Sequence, residues 1–148
     1  MDEDAYRTAQ QAANRAHCVF EKALIMRRLT CELASSHALA ERESVECTSP
    51  VARTNCATFL GLLGERAAFS LKLSRRDGPM SHAITMKLQC GGLAGLQLAL
   101  PAIGPDVHQL VAAGQHRWGS LLDLPWPEIV GNVAEWQGRH RGPFRKKP

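Results

Sequence analysis

The chain has 148 residues, 45% of them hydrophobic and 22% charged, enough apolar material for one core and too much for a disordered chain. Aromatic residues make up only 5%, so the interior is built from Leu, Ala, Val and Ile, a composition that favours helices over sheets. The formal net charge of +4 is local: Arg139, Arg141, Arg145, Lys146 and Lys147 stand in the last ten residues, leaving 13 basic and 14 acidic side chains before them.

A near-neutral body whose basic residues are not interleaved with aromatics argues against nucleic-acid binding. The Pro/Gly-punctuated end reads as a flexible basic tail over 139–148, behind a single helical domain over 1–138. The first residues, MDEDAYRTAQ, are acidic where a secretion signal is basic, and no apolar run approaches the length of a membrane span. The expectation is a cytoplasmic protein, in which stable disulfides are uncommon.

From Asp4 to about Leu39 the chain has no Pro or Gly. Tyr6, Ala9, Ala13, Ala16, Phe20, Leu24 and Cys31 recur at three-, four- and seven-residue steps, predicting one long amphipathic helix that Ser35 and Ser36 bend or end. A charged connector, AERESVE, leads to Cys47. Thr48 or Ser49 caps the next helix, with Pro50 at its first position. Cys56, Leu60, Leu63, Ala67 and Leu71 line one face of it, and SRRDGP closes it with a turn. Gly61 and Gly64 weaken this helix or admit a close neighbour.

Ser81 caps a short helix, HAITMKLQ, closed by Gly91 after Cys90. LAGLQLAL forms another, ended by Pro101. PDVHQLVAAGQ follows, with Asp106 near its positive end. A last amphipathic helix covers Pro127 to Trp136, where LPWPEIV staples into it. No alternating strand pattern stands out, so the predicted fold is all-α: a compact, irregular bundle of about five to seven helices with a long N-terminal one.

Five cysteines carry the chemistry of this sequence. They are separated by 12, 15, 8 and 33 residues, and no pair has the two-residue spacing of a redox dithiol, a zinc ribbon or a ferredoxin run. Placement points further than spacing. Cys31 ends the inward stripe of the first helix, Cys47 sits in a polar loop, Cys56 lies in the second turn of a helix, and Cys90 stands at a helix end.

Four thiolates from separate elements, near free backbone N–H groups, suit an iron–sulfur cluster, possibly [4Fe–4S]. Gly91 and Gly92 after Cys90 let the backbone close on such a group, although a C-cap and a tight helix–helix turn explain them as well. Arg27, Arg28 and Arg53 lie close in sequence to the proposed ligands of an anionic centre. The expected site is therefore Cys31, Cys47, Cys56 and Cys90 with Gly91 and Gly92.

Cys18 falls about 140° away from Cys31 on a continuous helix and reads as a small buried hydrophobe, provided that helix is unbroken. Zinc is the lesser alternative, for want of short-spaced ligand pairs, although His37 could join the cysteines. A metal-free helical module binding another protein through Trp118, Trp126 and Trp136 or the tail is the reading from a different class.

His17 reads as a core histidine, and His108 and His116 as a solvated edge. No metalloprotease, nucleophile-elbow, P-loop or dinucleotide motif occurs, so catalysis is not indicated. With all four positions filled by protein thiols, a cluster would exchange single electrons with a redox partner protein or report redox state.

Overall fold

The computed structural model describes residues 16–39, 42–71 and 81–138. The first third of the expected N-terminal helix, the SRRDGP turn and the basic tail lie outside the described residues. Within them the protein is mostly helical and carries one two-stranded antiparallel sheet.

The chain departs first from a continuous helix at its beginning. Ala16–Cys18 is extended along the second strand: the Cys18 N–H donates to Val45 O at 2.9 Å and the Cys47 N–H to Ala16 O at 2.7 Å. Helix α1, Glu21–Ile25, is short and buries Phe20, Ala23 and Leu24. It ends where Arg27 takes a left-handed φ of 60°, a conformation that cannot propagate a right-handed helix.

Strands β1, Ala34–Leu39, and β2, Arg42–Cys47, then pair antiparallel, with Ala34 opposite Cys47 and Leu39 opposite Arg42. The expected helix through Leu39 and the expected connector are thus a hairpin. Absence of breakers permits a helix without demanding one. After Cys31 the helical stripe has no large apolar residue left to bury, and pairing with 42–47 satisfies the same backbone groups.

The remaining helix starts follow the sequence closely, but the helix end expected at Gly91 does not occur, because Gly91 keeps helical angles of φ −67° and ψ −38° and the chain runs on. Helix α2, Pro50–Ala67, starts at Ser49, whose Oγ accepts the Ala52 N–H at 3.2 Å. Ser81 caps α3, His82–Met86, by accepting the Ile84 N–H. A π-helical turn, Lys87–Gly91, runs straight into α4, Gly92–Ala99. Asp106 caps α5, Val107–Trp118, which stops at Gly119 with φ 82°. A 3-10 turn, Leu121–Asp123, precedes α6, Trp126–Glu135. None of the helices among the described residues is long and apolar enough to cross a membrane.

Phe20, Phe59, Leu63, Leu93, Leu96, Leu110, Ile129 and Val133 are sealed from solvent and form one core. Phe59 joins Phe20 to Trp126, with ring centroids 6.0 and 5.8 Å away. Trp126 and Trp136 are buried, and Trp118 packs half-buried against the same core.

The glycines behave differently from one another. A Cβ at Gly91 would stand 2.8 Å from the Val133 Cα, and one at Gly95 2.8 Å from the Ile129 Cα, so α6 crosses the π-turn and α4 at backbone contact. A Cβ at Gly92 would stand 2.5 Å from the Leu63 Cδ1, so the bare backbone leaves room for that side chain. Gly61 and Gly64 have open space around them, so neither admits a neighbouring helix.

Candidate metal centre

Four cysteines from four pieces of chain line one small, apolar cavity: Cys18 before α1, Cys31 in the loop ahead of β1, Cys47 at the end of β2 and Cys56 in α2. Leu33, Ala52, Arg53 and Val107 complete much of its wall. Three of the expected ligands are thereby brought together. Cys18 takes the fourth place, and Cys90 does not line the cavity.

The exchange of Cys18 for Cys90 has a definite cause. The 140° separation of Cys18 from Cys31 holds only on a continuous helix, and here a turn, a one-and-a-half-turn helix and a loop lie between them. Cys90, fully buried in the π-turn, instead stands with its sulfur 3.9 Å from the Met26 Sδ. Gly91 and Gly92 likewise serve helix contacts rather than the cavity.

Backbone hydrogen bonds stitch each cysteine segment to its neighbour. Thr30 brackets the loop of Cys31 against the start of α5: its N–H donates to Pro105 O at 3.1 Å and its carbonyl accepts the Val107 N–H at 2.8 Å. Glu32 follows, donating its N–H to Asp106 Oδ2 at 2.7 Å. Beyond Cys47, the Thr48 N–H and hydroxyl both donate to Leu33 O, at 2.9 and 2.8 Å. Arg53 reaches from α2 to donate its Nε–H to His17 O at 2.7 Å. A cysteine thus adjoins every seam.

The sulfurs are met by amide donors. The Phe20 N–H reaches the Cys18 sulfur, and the Leu33 and His108 N–H groups reach that of Cys31. In both cysteines a donor comes from two residues downstream, a local turn that points an amide at sulfur and that favours thiolate over thiol. The Cys47 thiol donates to Ser49 O at 3.3 Å.

Burial nevertheless dominates. It pushes Cys18 up to about 11, with the Phe20 amide opposing it and Cys31 and Cys47 adding to it. Cys56, with no such amide and three neighbouring thiols, is pushed up to about 12, burial again being the larger cause. Burial raises Cys31 too, against its two amide donors. Cys18, Cys31 and Cys56, kept neutral at pH 7, are poised to lose protons only to a cation that replaces them.

Geometry also bears on which centre would fit. Among the described residues, the one set of three or more His, Cys, Asp or Glu ligand atoms lying within 4.8 Å of one another is Glu32, Asp106 and His108. No three of the cysteine sulfurs approach that closely. A single tetrahedral zinc with bonds near 2.3 Å needs its sulfurs roughly 3.8 Å apart, so the thiols are spread wider than one ion requires. The void among them is about 20 Å³, roughly the room of one water, so a centre of several atoms would enter only as the segments bearing the thiols move apart.

Glu32, Asp106 and His108 are accounted for by capping. Asp106 accepts the Gln109 and Glu32 amides, and Glu32 bonds His108 Nδ1 and the Gln109 side chain. Those bonds hold the Glu32 carboxyl below its usual range. His108 is therefore more than a solvated edge, since it also lines the cysteine cavity. Nothing in the sequence distinguishes it from His116.

Arg53 is half-buried in the cavity wall and has no carboxylate partner among the described residues. No family model, curated protein or solved structure matches the chain.

Proposed function

We propose that the protein holds an iron–sulfur cluster, of the four-iron type, on Cys18, Cys31, Cys47 and Cys56, and acts in electron transfer or redox sensing. One observation carries the reading: four thiols from four separate segments line the same small apolar cavity. The amide donors on Cys18 and Cys31 supply the hydrogen bonds that cluster thiolates take from backbone. Arg53 supplies a cation without a counter-ion beside a centre that is anionic when ligated by four thiolates.

With every iron held by protein sulfur, none is open to substrate. The chemistry is a single electron accepted from one redox protein and passed to another, or its loss as a signal. Anaerobic purification and reconstitution with iron and sulfide tests this. Four irons and four sulfides per chain, with a brown chromophore bleached by dithionite, are expected. Zinc at one per chain in anaerobically isolated protein, with no iron uptake, would replace the cluster by a structural zinc site. A colourless, metal-free fold after reconstitution would end both.

A further inference from the structure

Of the two residues that the sequence offers as a cap for α2, only Ser49 serves as one, accepting the Ala52 N–H. The Thr48 hydroxyl is left to bond elsewhere. It donates to Leu33 O at 2.8 Å, and the Thr48 N–H donates to the same oxygen at 2.9 Å. A carbonyl oxygen has two lone pairs, so Thr48 occupies both and fixes the orientation of the peptide between Leu33 and Ala34.

That peptide belongs to a turn around one of the thiols. Its N–H, on Ala34, donates to Cys31 O at 3.1 Å and closes Cys31–Ala34 into a β-turn. Inside the turn the Leu33 N–H meets the Cys31 sulfur, and Cys31 and Leu33 both line the cysteine cavity. Thr48 directly follows Cys47, so one exposed residue ties the strand of one thiol to the turn of another.

We propose that Thr48 is a positioning residue for the metal centre: by locking the Cys31–Ala34 turn onto the end of β2, it keeps the Leu33 N–H aimed at the Cys31 sulfur. In the metal-free protein this steadies the turn that carries the thiol. Once a cluster is bound, an N–H donor to a thiolate ligand favours the more negative, reduced state, so Thr48 raises the reduction potential. The second consequence rests on the cluster proposed above; the first does not.

Thr48→Val removes the hydroxyl while keeping the side chain's size and the backbone N–H, and Thr48→Ser restores the hydroxyl. Thr48 is at the surface and does not cap α2, so its replacement leaves the fold intact. The readouts are amide hydrogen exchange at Leu33 in the metal-free, full-length protein and a potentiometric titration of the reconstituted protein, each centre taking one electron from dithionite. In Thr48→Val, exchange at Leu33 should quicken about threefold or more for the loss of one side-chain hydrogen bond, with the amides of α4 unchanged. At the parent's midpoint potential the ratio of reduced to oxidised centre should fall by about the same factor, and Thr48→Ser should recover most of both. Unchanged exchange at Leu33, or a Thr48→Ser as impaired as Thr48→Val, would overturn the positioning role. A loaded Thr48→Val with the parent's potential would overturn its effect on the centre. A parent protein that takes up no iron, with exchange at Leu33 still quickened in Thr48→Val, would end the cluster and uphold the positioning of the Cys31 turn.

Discussion

Replacing Cys18 and Cys90 separately by Ala sets two readouts against each other. Cys90 is fully buried, and removing its sulfur takes away one heavy atom's worth of burial, near 0.8 kcal/mol, and leaves a small void. Apo Cys90→Ala should therefore lose about 1–2 kcal/mol, or roughly 3–6 °C in melting temperature for a chain of this size. Cys18 is only partly buried, at the edge of the core and beside a cavity that already exists, so its apo variant should lose less, about 0.5–1 kcal/mol.

Cluster loading is expected in the reverse order. Cys90→Ala keeps the iron content of the parent protein, whereas Cys18→Ala, deprived of one of four thiolates, loads less than half of it or yields a three-iron species. Iron and sulfide analysis beside differential scanning calorimetry reads both quantities on the same samples. A purely structural role for all five cysteines would make loading follow stability. Full loading of Cys18→Ala, together with loss in Cys90→Ala, would refute the assignment of Cys18 to the site.

The neutral thiols of the apo protein make stability fall in alkali. Cys18 and Cys56 have folded values near 11 and 12 against 9.0 unfolded, so the folded state retains protons that the unfolded state releases. Their contribution is whole below pH 9 and lost above it, at about 1.4 kcal/mol per pH unit for each thiol; denaturation at pH 7, 9 and 10.5 should show this, with a shallower slope in Cys56→Ala. Gly95→Ala sets a methyl within 2.8 Å of the Ile129 backbone and should cost about 1–3 kcal/mol, against a small gain for Gly61→Ala, measured by urea unfolding. Replacing Arg53 by Gln should shift the midpoint potential of the reconstituted protein negative by an amount on the order of 1 kcal/mol. Arg53→Lys should recover most of that shift, and an unchanged potential in the Gln variant would show that the guanidinium does not sense the centre.

Several local features were legible from residue order. Ser49, Ser81 and Asp106 cap where their side chains and following residues indicate, because an N-cap is decided within four residues. Cys31, Cys47 and Cys56 stood out by being placed near element ends. The hairpin over 34–47 was not legible, since alternation in ASSHAL and RESVEC is too polar to separate from a solvated helix. Cys18 went unrecognised for the same reason: its face was computed on a helix that the chain does not form.

The sequence by itself determined a mostly helical chain with an aliphatic core, its helix starts and its supply of thiols, all consequences of composition and of interactions between near neighbours. Only the tertiary structure decided which thiols meet. Cys18, Cys31, Cys47 and Cys56 converge because Ala16–Cys18 pairs with β2, Thr30 with the start of α5 and Leu33 with Thr48, contacts between segments up to 77 residues apart that no local pattern encodes. The same holds for Gly91 and Gly95, whose need for a bare backbone exists only because α6 comes to lie on them.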